Sequence, residues 1–327
     1  MRAIQIEKTD SGNQLVLGQS PDPTAAAGQI LLDVAGSAVN RADLMQAKGL
    51  YPPPPGASDI LGLECAGTVA GLGAGVRGFQ LGDRVMALLA GGGYAERVAV
   101  DAGSAMHVPE RLSLEQAAGT PEVFLTCHLN LFILAGVQAG DNVLIQGGGS
   151  GIGTAAIQLL KQAGARSLVT AGSKEKTDGC LELGADVAIN YREEDFAERA
   201  LEETDGKGVD VVLDCVGGSY LGSHLRCLAV GGRLVLIGLM GGVQSEINLA
   251  PVLMKRLSIL GSTLRARSVE EKGRIVSSFL QQFGAALKEG RIEPIIDCVL
   301  PLKEAQAAHD RVESSTHFGK VILKVDA

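Results

Sequence analysis

The sequence predicts an α/β protein of two domains, one with a doubly wound parallel sheet and the other a partly closed β-barrel. Three observations carry this prediction. Strands and helices alternate regularly after residue 121, a glycine-rich turn links one strand to the next helix, and short strands separated by turn residues fill the region before 121. A length of 327 residues also favours two domains. We place one domain at 1–120 plus 268–327, and the other at 121–267.

The first 120 residues predict short strands, because apolar and small residues alternate between clusters of turn-forming residues. The predicted strands are 30–39, 65–70, 84–88 and 94–100, and the turns are 71–78, 81–83 and 91–93. The run Pro52 to Pro55 excludes helix and central strand, so it predicts a rigid surface loop directly after Tyr51.

From residue 121 the pattern changes to repeated strand–helix units, which indicate a parallel sheet with right-handed crossovers. An apolar helix over 123–135 leads into them. The predicted strands are 143–145, 168–171, 187–190, 209–213, 233–237 and 259–261, and the helices are 154–162, 174–183, 196–203, 219–228 and 249–256. A helix over 269–288, a strand at 295–299, a helix over 302–312 and a strand at 320–325 break the alternation. We expect these last elements to return to the first domain.

The turn at 147–153 is the strongest local signal for a ligand, because a glycine turn between a strand and a helix lets backbone N–H groups approach a phosphate. It reads Gly148-x-Ser150-x-x-Gly153, with serine where the usual dinucleotide pattern has its middle glycine. The alternative is a plain loop. In this strand–helix context we predict a dinucleotide site that includes Ser150, Gly151, Ile152 and Gly153.

Composition excludes several classes of protein. The chain has 46% hydrophobic and 20% charged residues and a net charge of −8, so nucleic acid and anionic membranes are not expected as main partners. No apolar run of about 18 residues predicts a membrane span, and no secretory signal is visible, so we expect a cytoplasmic protein. The six scattered cysteines indicate free thiols, and the dispersed histidines and cysteines predict no metal site.

Several motifs resemble those of a known family over nearly the whole chain. They are Asn40-Arg41-Ala42-Asp43, Leu61 to Gly67, Gly82-Asp83-Arg84-Val85, the turn at 147–153, Thr170-Ala171-Gly172-Ser173 and Gly184-Ala185-Asp186. With them the chain resembles the zinc-independent quinone oxidoreductases of the medium-chain dehydrogenase/reductase superfamily. The resemblance implies a Rossmann domain that binds NADP and a GroES-like catalytic domain.

The superfamily's alcohol dehydrogenases hold a catalytic zinc through a cysteine and a histidine at positions where this chain has Asn40 and Leu63. Neither side chain can supply a thiolate or imidazole ligand. The departure argues against zinc-assisted alcohol oxidation. It favours hydride delivery to an acceptor that needs little Lewis-acid help, such as a quinone or a conjugated carbonyl compound.

The end of the second parallel strand indicates the cofactor. NAD sites place an Asp or Glu there for the ribose hydroxyls, whereas this strand ends in Gly172 and Ser173, with Glu175 the only acidic neighbour. A serine hydroxyl and a lysine suit a phosphate. The resemblance implies that Ser173, Lys176 and Tyr191 bind the 2′-phosphate of NADP. The alternatives are an exposed helix start for the lysines and a half-buried loop aromatic for Tyr191.

The resemblance also implies catalytic roles for Tyr51, Ser150 and Asn40. A phenol at Tyr51 could donate a hydrogen bond as negative charge develops on the substrate. The alternatives are loop packing for Tyr51, a small tolerated residue at Ser150 and a structural role for Asn40. By the same analogy Thr126 faces the nicotinamide, and Gly238, Leu239 and Met240 follow the fifth strand, at the edge of the sheet where ligands bind.

These observations together predict a zinc-free NADPH-dependent quinone reductase that transfers hydride or electrons to its acceptor. One alternative is an enone, 2-alkenal or enoyl reductase on the same scaffold. Another, from a different class, is a cofactor-binding RNA-binding or structural protein with weak turnover. The edge strand near Ile259 to Leu264 could pair with its counterpart across a two-fold axis, so we expect a homodimer.

Overall fold

The computed structural model of the chain describes residues 1–9 and 12–326. It divides into two compact units, each described here by itself. The first comprises Met1–Leu125 together with Leu264–Ala327, and the second comprises Thr126–Thr263.

Fifteen strands and ten α-helices are found in the described ranges. The strands are β1 (Arg2–Thr9), β2 (Gly12–Gln19), β3 (Gln29–Ala38), β4 (Glu64–Leu72), β5 (Arg84–Leu88), β6 (Arg97–Asp101), β7 (Ala105–His107), β8 (Asn142–Ile145), β9 (Arg166–Ala171), β10 (Val187–Asn190), β11 (Val209–Asp214), β12 (Leu228–Leu236), β13 (Ser258–Gly261), β14 (Ile296–Pro301) and β15 (Lys320–Lys324). The helices are α1 (Arg41–Ala47), α2 (Leu114–Ala117), α3 (Pro121–Cys127), α4 (Gly151–Ala163), α5 (Lys174–Leu183), α6 (Phe196–Glu202), α7 (Leu221–Cys227), α8 (Ala250–Met254), α9 (Val269–Glu289) and α10 (Ala305–Glu313). Short 3₁₀ turns lie at Ala102–Ser104, Gly218–Tyr220 and Leu302–Glu304, and a π-helical turn at His128–Leu134.

The first unit is built on a mostly antiparallel seven-stranded sheet with β3 at its centre. The order is β14-β15-β3-β4-β5-β7, and β6 also pairs with β3. The predicted alternation in β3 is confirmed, because Ile30, Leu32 and Val34 are buried while Asp33 between them is exposed. The two C-terminal strands join the sheet through β15, which runs antiparallel to β3.

Several elements of this unit carry no clear sequence signal. The β1–β2 hairpin is one, because β2 buries only Leu15 and therefore shows no alternation of apolar residues. Helices α1 and α2 are too short for a helical period to show. The strand expected from Tyr94 begins instead at Arg97. Tyr94 is not part of this strand because its N–H donates to the Leu61 carbonyl and its carbonyl accepts from the Ile4 N–H. Its side chain is fully buried.

The second unit confirms the doubly wound parallel sheet. Its strand order is β10-β9-β8-β11-β12-β13, so the chain runs outward from β8 in one direction and from β11 in the other. Ligands of such sheets bind beyond the carboxyl ends of the strands, at this reversal of strand order. The glycine turn directly follows β8 and therefore lies at that place.

One helical stretch, Leu114–Leu134, is long and apolar enough to cross a membrane by length and composition alone. Of its most apolar 18-residue window, 78% is buried inside the fold. Burial of this extent is what the core helix of a globular protein shows, so the stretch is weak evidence for a membrane span.

Candidate active site

The glycine turn of the second unit has the geometry of an anion-binding helix start. Gly147 has φ +79°, a conformation that favours glycine, and a Cβ on Gly153 would collide with the carbonyl oxygens of Gly147 and Gly148. Ser150 caps α4, since its Oγ accepts a hydrogen bond from the Gly153 N–H at 3.1 Å. The first turn of α4 contains no acidic residue that would repel an anion. The serine in the middle of the motif is thus a helix cap.

A buried chain of polar side chains lies beneath this turn. The Gly147 N–H donates to Thr170 Oγ1 at 3.2 Å, and the Thr170 hydroxyl donates to Gln146 Oε1 at 2.6 Å. The amide nitrogen of Gln146 then donates to His224 Nε2 at 3.0 Å, and Nδ1 of His224 faces Asp214 across 3.5 Å. Burial raises the pKa of Asp214 to about 6 and lowers that of His224 to about 4. At pH 7 this series of polar side chains therefore ends in the Asp214 carboxylate, beside the neutral imidazole of His224.

The same carboxylate fixes the loop that follows β11. Asp214 accepts hydrogen bonds from the N–H groups of Val216 and Gly217 at 2.7 and 2.9 Å. The polar chain thus connects the turn after β8 to the loop after β11, on the two sides of the switch in strand order. We infer that it fixes the spacing of these two loops.

The three residues predicted for the cofactor phosphate lie where β9 and β10 end, together with Gly172, which is predicted to bind the cofactor. Ser173 caps α5, and its Oγ accepts from the Lys176 N–H at 3.4 Å, which places Lys176 in the first turn of that helix. The Tyr191 N–H donates to the carbonyl of Ala171 at 3.2 Å. Gly172 lies against the Tyr191 ring, since a Cβ on Gly172 would be 2.5 Å from the phenol oxygen. Strand β9 itself ends without a carboxylate.

The remaining predicted cofactor residues lie in the same unit. The Met240 N–H donates to the Cys215 carbonyl at 3.1 Å, so 238–240 pack on the loop after β11. Leu239 and Met240 are 51% and 57% exposed. Thr126 is buried, and its carbonyl accepts from Asn130 at 2.7 Å. The tight glycine turn, the capped α4 and the carboxylate-free strand end together fit a dinucleotide with a 2′-phosphate.

In the first unit, Asn40 stands in a buried ionic cluster. Its amide nitrogen donates to Glu64 Oε1 at 2.9 Å and to the Ala38 carbonyl at 3.2 Å, and its oxygen accepts from Lys320 at 2.7 Å. Lys320 also pairs with Glu64 at 2.9 Å. Because both ends of the Asn40 amide are engaged, its contacts favour the structural alternative over a direct catalytic role. No group of three metal-ligating side chains is found within 1–9 and 12–326.

Tyr51 is half-buried and lies against Arg265. The guanidinium carbon of Arg265 is 5.4 Å from the ring centroid, within the range of a cation–π contact. Burial raises the pKa of the Tyr51 phenol, and the positive charge of Arg265 opposes that rise. No pattern in the sequence marks Arg265, which is one of two arginines between the last parallel strand and α9.

Glu122, at the start of α3, adds a second ionisable group to this site. Its N–H donates to Glu64 Oε2 at 2.9 Å. Burial, and to a lesser extent the charge of Glu64, raises the pKa of the Glu122 carboxyl to about 8. The carboxyl is therefore mainly protonated at pH 7.

A cavity of about 550 Å³ lies in the first unit, and Arg265 forms part of its lining. It is lined by residues 54–58 of the proline loop, by 88–92 and by 265–269, together with Lys272. Its size is that of a small-molecule site, for which roughly 300–1,000 Å³ is usual.

Known proteins match the chain over its whole length. Residues 26–110 match the alcohol dehydrogenase GroES-like domain, and 151–280 match the zinc-binding dehydrogenase family. A quinone oxidoreductase of Rattus norvegicus is 32% identical, over 99% of this chain and 97% of its own. The Escherichia coli quinone oxidoreductase, solved with NADPH, is 30% identical over 99% of both chains, with a TM-score of 0.85.

An enoyl reductase, CurK, has the same fold at 28% identity, with 99% of both chains covered and a TM-score of 0.85. The quinone oxidoreductase match extends over nearly the whole of both sequences and exceeds 30% identity. The chain therefore belongs to the quinone oxidoreductase family of the medium-chain dehydrogenase/reductase superfamily.

Proposed function

We propose that this chain is an NADPH-dependent quinone reductase that works without zinc. The observation that carries the proposal is the full-length match to quinone oxidoreductases, one of them solved with NADPH. When bound, the reduced nicotinamide supplies a hydride to the acceptor. The contributions of the protein are binding, orientation and charge stabilisation.

The second unit would hold the cofactor. The N–H groups of Gly151 and Ile152 at the start of α4 suit the pyrophosphate, because the first N–H groups of a helix have no partner within the helix. Gly153 would contribute by letting the backbone come close to the ligand, since its own N–H already donates to Ser150 Oγ. Ser173, Lys176 and Tyr191 would bind the 2′-phosphate, for which the serine offers a hydroxyl donor and the lysine a positive charge. The residues predicted to lie near the nicotinamide are Thr126, Gly238, Leu239 and Met240.

The first unit would supply the acceptor site. Two-electron reduction of a quinone leaves negative charge on its oxygens, and Tyr51 carries a hydroxyl that can donate to such an oxygen. A direct role for Ser150 remains a prediction, since its hydroxyl already serves as the α4 cap. Asn40 would act by holding Glu64 and Lys320 in place.

The second candidate function is reduction of a conjugated carbonyl compound, such as a 2-alkenal or an enoyl thioester. The similarity to the CurK enoyl reductase favours it. Both reactions use the same hydride donor, so the acceptor alone separates them.

The deciding experiment follows NADPH oxidation by the purified protein with matched acceptors. The panel contains a benzoquinone, a naphthoquinone, a 2-alkenal and an enoyl thioester. Higher kcat/KM for the quinones supports the proposal, and a preference for the alkenal or thioester replaces it with the second function. Binding of NADPH without turnover of any acceptor would support a cofactor-binding protein, for which the test is RNA binding by gel shift.

We further propose that the protein is a cytoplasmic homodimer. Strand β13 is the outer strand of its sheet, with Ile259 41% exposed, and Leu253 and Met254 nearby on α8 are 80% and 77% exposed. An unpaired edge beside exposed apolar residues suits pairing with a second copy. A monomeric mass by light scattering at micromolar concentration would contradict the dimer. The six free cysteines suit a reducing compartment.

A further inference from the structure

Arg265 is a buried cation that pairs with no carboxylate in the part of the chain that the structure describes. It is 4% exposed, and its guanidinium donates to three neutral oxygens: the Ala90 carbonyl at 2.8 Å, the Tyr51 carbonyl at 3.3 Å and Gln46 Oε1 at 2.6 Å. Within 1–9 and 12–326 no carboxylate forms an ion pair with it. Arg267, two residues further on, shows the ordinary arrangement, with Glu271 at 3.1 Å. An unpaired buried charge is costly, so its presence beside Tyr51 needs a reason.

The charged groups that face this arginine do not cancel its charge. Lys272 of α9 is 7% exposed, and its ammonium donates to the Arg265 carbonyl at 2.7 Å, which adds a second cation. Asp43 of α1 and Glu122 of α3 attract the guanidinium from a distance. Asp43 already accepts from the N–H groups of Asn40 and Gly62, and Glu122 is mainly protonated at pH 7. At the Tyr51 phenol, the positive charge of Arg265 therefore acts to lower the pKa, against burial and the weaker effect of Glu122, which raise it.

The same arginine also fixes the position of the tyrosine. Its three hydrogen bonds connect α1, the loop that carries Tyr51 and the loop at Ala90. The central carbon of the charged guanidinium lies 5.4 Å from the centroid of the Tyr51 ring. A lysine would keep the charge, but it could not donate in three directions from a rigid plane. Position and charge are thus two separable contributions.

We propose that Arg265 is a positioning residue for this site: it orients the Tyr51 ring and stabilises the phenolate formed when Tyr51 protonates the reduced acceptor. The inference rests on the proposed quinone reduction. Hydride transfer reduces the quinone by two electrons to the hydroquinone monoanion and oxidises the nicotinamide. The O–H bond of Tyr51 breaks as a new O–H bond forms on the hydroquinone oxygen, and water then reprotonates the phenolate.

The test labels the four tyrosines with 3-fluorotyrosine, whose phenol titrates at lower pH than that of tyrosine, and follows each signal by ¹⁹F NMR. Tyr51→Phe assigns the signal of Tyr51. Arg265→Met should raise the pKa of the labelled Tyr51 phenol, because the cation that favours the phenolate is gone. Arg265→Lys keeps the positive charge, so the pKa of the labelled phenol should stay close to the wild-type value. Arg267→Met is the matched control and should leave the titration of Tyr51 unchanged.

Turnover provides the second readout. Arg265→Met should lower kcat for a quinone about tenfold, as expected for loss of one desolvated cation–π contact, with NADPH affinity unchanged by fluorescence titration. If Arg265→Met unfolds the protein, Arg265→Gln and Arg265→Lys take its place. A Tyr51 titration that responds no more to position 265 than to position 267 would overturn the inference. Wild-type protein that reduces no quinone would instead overturn the proposed function, whatever the fluorine signals show.

Discussion

Lys176→Ala tests how the second unit selects its cofactor. Lys176 lies in the first turn of α5 beside the Ser173 cap, at a strand end without a carboxylate. A charge-assisted hydrogen bond contributes roughly 1.5–3 kcal/mol, and each 1.4 kcal/mol is about tenfold in affinity. One or two such contacts should favour NADPH over NADH by roughly ten- to a thousandfold in Kd. Lys176→Ala should remove roughly ten- to a hundredfold of that preference and leave NADH binding nearly unchanged.

The chain offers a matched control two residues away. Lys174 is 79% exposed, and its ammonium pairs with Asp178 at 2.7 Å. Lys174→Ala therefore removes the same formal charge while Ser173, Lys176 and Tyr191 stay unchanged. The protein contains no tryptophan, which lets the fluorescence of the bound nicotinamide be read with little background. Both cofactors are titrated into the wild type and both variants at one ionic strength, because surface charges are screened by salt. Equal weakening of NADPH and NADH by Lys176→Ala, or equal effects of the two lysines, would refute the assignment.

Four further predictions concern the metal, the phenol, the glycine turn and the buried acid. Quinone turnover should survive EDTA, and stoichiometric zinc that is lost together with activity would contradict this. Tyr51→Phe should lower kcat more than NADPH affinity, by less than the roughly 3 kcal/mol of a well-organised oxyanion donor, since quinones are already reactive; unchanged rates with several quinones would leave Tyr51 a packing role. Gly153→Ala should lower the free energy of unfolding in urea by about 1–3 kcal/mol, because the added Cβ collides with the turn. Gly222→Ala, whose Cβ would lie in open space on α7, should raise it by about 0.5–1 kcal/mol. Glu122→Gln should gain stability over the wild type as pH rises from about 5 to 9, because a carboxyl whose pKa is raised by folding loses stability as it ionises; parallel pH profiles would refute this.

The second unit was the more predictable part of the fold. Its buried parallel strands form apolar runs and its helices are long enough to show a period, so α5 and β10 match the predicted ranges residue for residue. The first unit depends more on contacts between distant segments. The position of Tyr94 is set by pairing with Leu61 and Ile4, which no local pattern reveals.

The candidate site shows the same division. Ser150 was found because its motif is continuous in sequence, although its function as a helix cap became clear only from the hydrogen bond to Gly153. Arg265 escaped prediction because its significance comes from what surrounds it, which is three neutral acceptors and the ring of Tyr51, with no paired carboxylate among the described residues. Asn40 was located by resemblance, and its contacts with Glu64 and Lys320, which favour the structural alternative, join residues far apart in the sequence.

The polar chain beneath the glycine turn constrains how this protein can change over generations. Gln146 joins two members of it, so replacing Gln146 by an apolar residue would leave the Thr170 hydroxyl without its acceptor and His224 Nε2 without its donor. Single substitutions at positions 146, 170, 214 and 224 should therefore be selected against, while coordinated replacements that keep every donor matched to an acceptor remain open. Relatives that differ at one of these positions are expected to differ at the neighbouring one as well. A redesign of cofactor preference at Ser173 should therefore keep the residues at these four positions together as a set.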